Sequence, residues 1–144
     1  MNILVSACLL GAACRYDGAA RSHPEIDALR NKHTLIPVCP EQLGGLPTPR
    51  EPSEIKSGRA VNASGRDVTE NYERGAYEAL RLAQRLGCRA AILKERSPSC
   101  GCGQVYDGTF SHTLVPGDGF TAALLKKSGI AVYGESQASS LTDK

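Results

Sequence analysis

Four short apolar runs alternate along the chain with segments whose apolar residues recur at helical spacing. Each run has four or five residues, the length of a buried strand, and they lie at residues 3–7, 34–38, 90–93 and 130–133. Strands that alternate with helices favour a parallel sheet covered on both faces, because each connection must cross over the sheet. The sequence therefore predicts an α/β chain with a Rossmann-like, three-layer fold. Its sheet is expected to be mainly parallel, with a ligand site at the carboxyl edge of the strands.

Helical signals fill three of the connections. Ser22 and Glu25 form a capping box in front of a short helix that is expected to bury Ile26 and Leu29. The longest helix is expected to begin at a cap formed by Asp67 or Thr69 and to end before Gly87. Its buried face is predicted to contain Tyr72, Ala76, Ala79, Leu80, Ala83 and Leu86. A third helix is predicted from an Asp118 cap through Ser128.

The remaining segments are predicted to be turns and loops. Pro37 cannot donate a ladder hydrogen bond, so residues 34–38 are expected to be an edge strand or to end there. Residues 39–50 contain too much glycine and proline for regular structure, and Leu43 and Leu46 are expected to pack on the body of the protein.

Two hairpins and a tail complete the predicted organisation. One hairpin is expected in residues 59–69 around Ser64-Gly65, and another in residues 104–110 with its turn at Asp107-Gly108. Residues 1–134 are predicted to form one α/β domain. The polar residues 135–144 lack periodicity and are expected to be a disordered tail.

The charge and hydropathy of the chain exclude several classes of partner. The formal net charge is +2, which gives no polybasic reason to predict duplex nucleic acid or a membrane surface as a partner. No apolar run approaches the ~20 residues of a transmembrane helix. Residues 1–7 lack the pattern of a secretory signal, so a cytoplasmic location is expected.

Six cysteines in a reducing compartment point to metal binding or catalysis rather than to disulfides. Cys8, Cys39 and Cys100 each follow a predicted strand, so a parallel sheet would bring all three to one edge. Cys88 fits core packing, and Cys102 has no assignment. Cys14 could be a fourth ligand or a thiol beside the ligands, and the second is expected. Three thiolates suit either zinc with a water ligand or a [4Fe–4S] cluster with one open iron, and their spacing does not decide between them.

Five motifs in this order resemble the thiouracil desulfurase family, also called desulfidases. They are Ser6-Ala7-Cys8-Leu9-Leu10-Gly11, Cys14-Arg15-Tyr16-Asp17-Gly18, Pro37-Val38-Cys39-Pro40-Glu41, Gly44-Gly45-Leu46-Pro47-Thr48-Pro49-Arg50 and Lys94-Glu95-Arg96-Ser97-Pro98-Ser99-Cys100-Gly101. The resemblance runs from residue 3 to about residue 133. It implies an iron–sulfur hydrolase that replaces C=S by C=O in a thiolated uracil, from 2-thiouracil to 4-thiouridine monophosphate, and releases sulfide without net redox change.

The resemblance also implies roles for individual residues. Cys8, Cys39 and Cys100 would bind a [4Fe–4S] cluster whose fourth iron is open for the substrate sulfur, and Glu41 and Ser97 would be catalytic. Such a cluster in turn implies that iron–sulfur assembly machinery supplies it.

The substrate contacts are candidates chosen by chemistry. Arg15, Arg50, Lys94 and Arg96 could bind a nucleotide phosphate, and Tyr16 could stack on the base or simply pack. Two other functions fit the same cysteines. One is a binding module stabilised by zinc, and the other is a sulfur-transfer protein in RNA thiolation, which the net charge of +2 disfavours.

Overall fold

Short strands, most of them four or five residues long, supply the framework of the computed structural model, which describes residues 1–141. In chain order they are β1 (Asn2–Ser6), β2 (Thr34–Val38), β3 (Ser53–Lys56), β4 (Arg59–Asn62), β5 (Ala90–Leu93), β6 (Gln104–Tyr106), β7 (Leu114–Pro116) and β8 (Ala131–Gly134). The α-helices are α1 (Pro24–Asp27), α2 (Pro40–Leu43), α3 (Thr69–Arg85) and α4 (Phe120–Lys127). In this part of the chain, three 3₁₀ helices cover Ala7–Leu10, Ala28–Asn31 and Glu135–Leu141.

The central sheet has the strand order β2-β1-β5-β8, and all its pairings are parallel. This arrangement confirms the predicted fold class. The second and third predicted strands have the observed bounds, whereas the first and last are displaced by one residue. β2 lies at an edge of the sheet, as Pro37 predicted.

Side chains that alternate along the strands build a core on each face of the sheet. Leu4 and Leu93 point to one face, where they pack with the apolar sides of α3 and α4. Ile3 and Ile92 point to the other, where the segment 24–31 and the final 3₁₀ helix cover them. The three layers follow directly from this alternation.

The ends of the helices differ from the prediction in several places. The backbone N–H groups of Ile26 and Asp27 both bond to the carbonyl of His23, so Ser22 lies one residue outside the helix and does not cap it. Ile26 and Leu29 are buried as expected. The predicted single helix is instead a turn of α-helix followed by a 3₁₀ turn.

α3 buries the predicted face except for one residue. Leu86 is 41% exposed, because α3 ends at Arg85 and the chain turns at Gly87, whose φ is +66°. Val68 occupies the N-cap position of α3, and the Asp67 carboxylate accepts the Thr69 N–H at 2.9 Å.

The predicted cap of α4 is wrong. Gly119 precedes that helix, and the Asp118 carboxylate instead accepts hydrogen bonds from the Gly103 N–H and the Lys126 ammonium group. Asp118 thereby ties α4 to the loop that carries Cys100.

Both hairpins are longer or placed differently than predicted. β3 and β4 turn at Ser57-Gly58, and the expected second arm contributes only a bridge between Val61 and Asp67. β6 pairs with β7 across the longer connection 107–113. The buried carboxylate of Glu54 accepts two backbone N–H groups of that connection, so a tertiary contact shapes it rather than a local turn.

The expectation of a disordered tail is wrong for residues 135–141. This segment forms a 3₁₀ helix, and Ala138 and Leu141 are each only 1% exposed because they complete the core on one face of the sheet. The predicted division of the chain at residue 134 therefore separates residues that pack together. The last part of the predicted tail, residues 142–144, lies outside the described residues. None of the helices in residues 1–141 is long and apolar enough to span a bilayer.

Candidate active site

The three strand-end cysteines follow three adjacent strands of the sheet. Cys8 lies in the 3₁₀ helix after β1, Cys39 is the N-cap residue of α2 directly after β2, and Cys100 lies in the loop after β5. Because β1 lies between β2 and β5, the carboxyl edge brings these segments side by side. The predicted convergence of the segments is thus present in the fold.

The thiols of these cysteines share one electrostatic environment. Burial, followed by the charge of Glu41, raises the pKa of the Cys8 thiol to about 11. Burial raises the pKa of Cys39 to about 11, and it raises the pKa of Cys100 well above the usual range. Cys39 contributes to the shift at Cys8, and Cys8 contributes to the shift at Cys100.

This donor set fits an iron–sulfur cluster. All three are free thiols in a site that disfavours isolated thiolates, so they need bound positive charge to ionise, and a metal supplies it. Soft sulfur ligands select iron–sulfur clusters and zinc. In residues 1–141 no group of three or more His, Cys, Asp or Glu side chains is placed to hold a metal ion. The fit of these cysteines to a cluster is therefore argued from the strand order and from the chemistry of the three thiols.

Of the other three cysteines, one lies beside the three strand-end cysteines and two make their contacts elsewhere. Cys14 is buried beside Cys39, whose Sγ lies 3.8 Å from the Cys14 carbonyl oxygen. Cys88 packs in the core under α3, which confirms its predicted role. Cys102 contacts the carbonyl of Val132 on β8 through its Sγ at 3.7 Å, although it is only two residues from Cys100.

Glu41 lies in the first turn of α2, where the sequence predicted no helix. Pro40 begins the turn with a fixed φ, and the Gly44 N–H closes it on the Pro40 carbonyl. The Glu41 carboxylate forms a 3.2 Å ion pair with Arg50. Burial raises the pKa of Glu41, and the Arg50 guanidinium opposes that shift.

Ser97 shapes the loop that carries Cys100. Its Oγ accepts the backbone N–H groups of Ser99 and Cys100, both at 3.1 Å. These bonds use the oxygen of Ser97 and leave its hydroxyl proton for another acceptor.

Ser6 is a residue of this site that the sequence analysis did not single out. Its Oγ lies 3.3 Å from Cys100 Sγ and accepts the Lys94 N–H at 2.9 Å. The available signal was its position as the last residue of β1, inside the first motif.

Comparison with known proteins identifies the family. The profile of the 2-thiouracil desulfurase family matches residues 3–137, which is most of the chain. The chain belongs to this family. The resemblance of the five sequence motifs is thereby confirmed.

Two known proteins are similar to this chain over nearly its whole length. YbbK of Bacillus subtilis (strain 168), an uncharacterised protein, is 46% identical over 145 residues, which covers 94% of this chain and 96% of YbbK. The solved structure of the [4Fe-4S]-dependent thiouracil desulfidase TudS matches with a TM-score of 0.91 at 46% identity. That match covers 97% of this chain and 94% of the TudS chain.

Within this desulfurase family member, the basic residues predicted to bind substrate differ in their availability. Arg50 is held by Glu41 and by the Cys14 carbonyl, and Lys94 pairs with Glu135 at 3.0 Å. Arg15 is half-buried, and its charge lowers the pKa of Cys8, which places it near that thiol. Tyr16 is 43% exposed.

A cleft of about 400 Å³ has Arg50 among its lining residues. It is lined by residues of loop 45–53 and by Asn62, Arg66, Val68 and Asn71. Arg66 is exposed and carries a positive charge into this cleft, which makes it a polar surface adjacent to the site.

Proposed function

We propose that this protein is a [4Fe–4S]-dependent desulfidase that hydrolyses the thiocarbonyl group of a thiolated uracil. In this reaction water supplies the oxygen of a new C=O bond, the C=S bond breaks, and sulfide leaves with the two protons of water. Carbon and sulfur keep their oxidation states, so no external oxidant or reductant is required. The observation that carries the proposal is the placement of three free thiols after three adjacent parallel strands, in a chain that is 46% identical to a [4Fe-4S]-dependent thiouracil desulfidase.

Cys8, Cys39 and Cys100 are the proposed ligands of the cluster. When bound through three cysteines, such a cluster supplies a soft Lewis acid at its remaining iron, which suits a thiocarbonyl sulfur. Cys102 is not proposed as a ligand, because its Sγ contacts the Val132 carbonyl on β8. Cys14 is proposed as a neighbour of the ligands, beside Cys39.

Glu41 is proposed to activate the attacking water. Its carboxylate is close enough to Cys8, Cys39 and Cys100 to influence the pKa of all three thiols. Arg50 fixes the orientation of this carboxylate, which general-base catalysis requires. Ser97, with a hydroxyl proton not used by the loop, is proposed to donate a hydrogen bond to the pyrimidine or to the departing sulfur.

The substrate is proposed to be 2-thiouracil or 4-thiouridine monophosphate. Among the predicted contacts, Arg15, Tyr16 and the exposed Arg96 are not held in an ion pair within residues 1–141, so they are the first candidates to contact the base or phosphate. Arg50 and Lys94 are proposed to stabilise the shape of the site through their ion pairs with Glu41 and Glu135. The protein is further proposed to act in the cytoplasm and to obtain its cluster from iron–sulfur assembly machinery.

Anaerobic reconstitution tests the proposal. The wild-type protein should bind four iron and four sulfide ions per chain and release sulfide from 4-thiouridine monophosphate or 2-thiouracil. Cys39→Ser should lose both the cluster and the activity. Cys102→Ser is the matched control, because it removes a thiol near Cys100 that faces away from the site, and it should keep both. Stoichiometric zinc without iron in anaerobically purified protein would instead support a zinc-stabilised binding module.

A further inference from the structure

The hydroxyl of Ser6 joins the end of β1 to the thiol of Cys100. Ser6 is 2% exposed, and its Oγ lies 3.3 Å from Cys100 Sγ. The same oxygen accepts the Lys94 N–H at 2.9 Å. Lys94 follows β5 directly, at the point where the ladder between β1 and β5 has ended, so the serine side chain replaces a backbone acceptor there.

These two contacts fix the direction of the hydroxyl proton. The Lys94 N–H can only donate, so it uses a lone pair of Ser6 Oγ. The serine proton is then free for the neighbouring sulfur. A sulfur bound to a metal is a thiolate and carries no proton, so with a cluster in place Ser6 must be the donor of the contact with Cys100.

We propose that Ser6 is a positioning residue that donates a hydrogen bond to the ligand sulfur of Cys100 and thereby tunes the cluster. The inference rests on the proposed function only in requiring a cluster bound through Cys100. Hydrogen bonds to ligand sulfurs withdraw electron density and raise the reduction potential of an iron–sulfur cluster. They also orient the ligand, which slows its dissociation. Ser99 is a second hydrogen-bond partner of the Cys100 thiol, and its hydroxyl also pairs with that of Thr121 at 2.8 Å, so Ser6→Ala removes one of two hydroxyl contacts to this sulfur.

The test compares hydroxyl deletions at two positions. Ser6→Ala removes both hydrogen bonds of Ser6. Thr69→Val is the matched control, because the Thr69 hydroxyl is also buried and also accepts a backbone N–H at 2.9 Å, from Ala60 on the β3–β4 hairpin. Both variants lose a side-chain acceptor for a backbone N–H, so a purely structural role predicts similar effects for the two.

The readouts are the reduction potential of the reconstituted cluster and the rate at which a chelator removes its iron. We expect Ser6→Ala to have a more negative potential and several-fold faster iron loss, whereas Thr69→Val matches the wild type. Ser6→Thr, which keeps the hydroxyl, should restore both values. If Ser6→Ala does not fold, Ser6→Gly removes the same hydroxyl in a smaller side chain.

The outcomes separate this inference from the proposed function. An unchanged potential and iron-loss rate in a cluster-loaded Ser6→Ala or Ser6→Gly protein overturns the role of Ser6 and leaves the desulfidase proposal intact. If Thr69→Val changes the reduction potential and the iron-loss rate as much as Ser6→Ala does, Ser6 contributes only to general stability. That result also overturns the proposed role of Ser6. Failure of the wild-type protein to bind any cluster contradicts the proposed function itself, and with it the premise of the inference.

Discussion

Arg50 and Glu41 form an ion pair that is largely removed from solvent, with Arg50 Nη2 lying 3.2 Å from Glu41 Oε2. Their side chains are only 6% and 14% exposed. The guanidinium group of Arg50 also donates to the carbonyl oxygens of Cys14 and Pro47. Arg50 therefore connects the segment after β1, helix α2 and the loop before β3, and it holds the Glu41 carboxylate beside the thiols.

Replacing Arg50 with methionine is expected to lower the free energy of unfolding by about 3–5 kcal/mol, because a buried carboxylate is left without its partner. Adding Glu41→Gln should recover part of this loss, since the amide carries no charge. Urea unfolding of the wild type, both single variants and the double variant measures the coupling. Strict additivity of the two changes would contradict the predicted coupling.

The exposed pair Arg59–Asp67 provides a control for the effect of burial. Its two charged groups lie 2.8 Å apart, but the side chains are 55% and 46% exposed. Water screens such a pair, so Arg59→Met should change stability much less than Arg50→Met does. Similar losses at both positions would show that burial does not determine the strength of the Arg50–Glu41 interaction.

Glu41→Gln is expected to keep the cluster and to lose turnover. The amide preserves an acceptor for Arg50 but cannot take a proton from water, so sulfide release should fall on the order of 10²-fold or more. Iron content and sulfide release are measured on the same anaerobic preparation. Glu78→Gln on the exposed side of α3 is the control and should be fully active. Normal turnover by Glu41→Gln would remove its proposed role as the base.

Gly75 in the middle of α3 is expected to resist replacement by alanine. A Cβ atom at Gly75 would lie 1.9 Å from the carbonyl oxygen of Pro40, and one at Gly44 would lie 1.9 Å from the carbonyl oxygen of Asn71. The two glycines therefore let α2 and α3 approach backbone to backbone. Alanine usually stabilises a helix by about 1 kcal/mol relative to glycine. Here overpacking should reverse the sign and cost about 1–3 kcal/mol.

The same Gly75→Ala change should disturb the site, because Pro40 lies between Cys39 and Glu41. We expect reduced iron content after reconstitution together with a lower urea midpoint. Tyr77→Ala, at a position of α3 that is 57% exposed, serves as the control and should leave iron content unchanged. A Gly75→Ala protein that is more stable than the wild type would show that the two helices separate without cost.

The sheet and the positions of the three cysteines could be predicted because local signals specify them. Short apolar runs between helical patterns give the strands, and parallel strands share a carboxyl edge. A cysteine directly after a strand, such as Cys39 after β2, then falls at that edge whatever the details of the loops. The hairpin predicted in residues 104–110 was misplaced because its connection depends on tertiary contacts, as the hydrogen bonds from Gly108 and Phe110 to Glu54 show. The β3–β4 hairpin turns at Ser57-Gly58, whereas the prediction placed its turn at Ser64-Gly65.

The contacts that arrange the site could not be predicted, because their partners are distant in sequence. Ser6 and Cys100 are 94 residues apart, and the ion pair of Lys94 with Glu135 is formed by a segment expected to be disordered. Gly75 carries no local signal, since a glycine within a helical pattern suggests only a weaker helix. Only the folded chain shows that it faces the backbone of α2.

The final 3₁₀ helix is expected to contribute to stability through Leu141. This side chain is 1% exposed in the core beside β1, and its carbonyl oxygen accepts a hydrogen bond from Nε2 of the buried His33 at 3.1 Å. Leu141→Ala should therefore lower the free energy of unfolding by about 2 kcal/mol or more. Ser140→Ala, at an exposed neighbouring position, should be close to neutral. Because Glu135 at the start of this helix accepts the Glu95 N–H, loosening the helix should also raise hydrogen exchange in loop 94–100. If Leu141→Ala has the same free energy of unfolding and the same hydrogen exchange as the wild type, the result would support the original expectation that this segment does not pack.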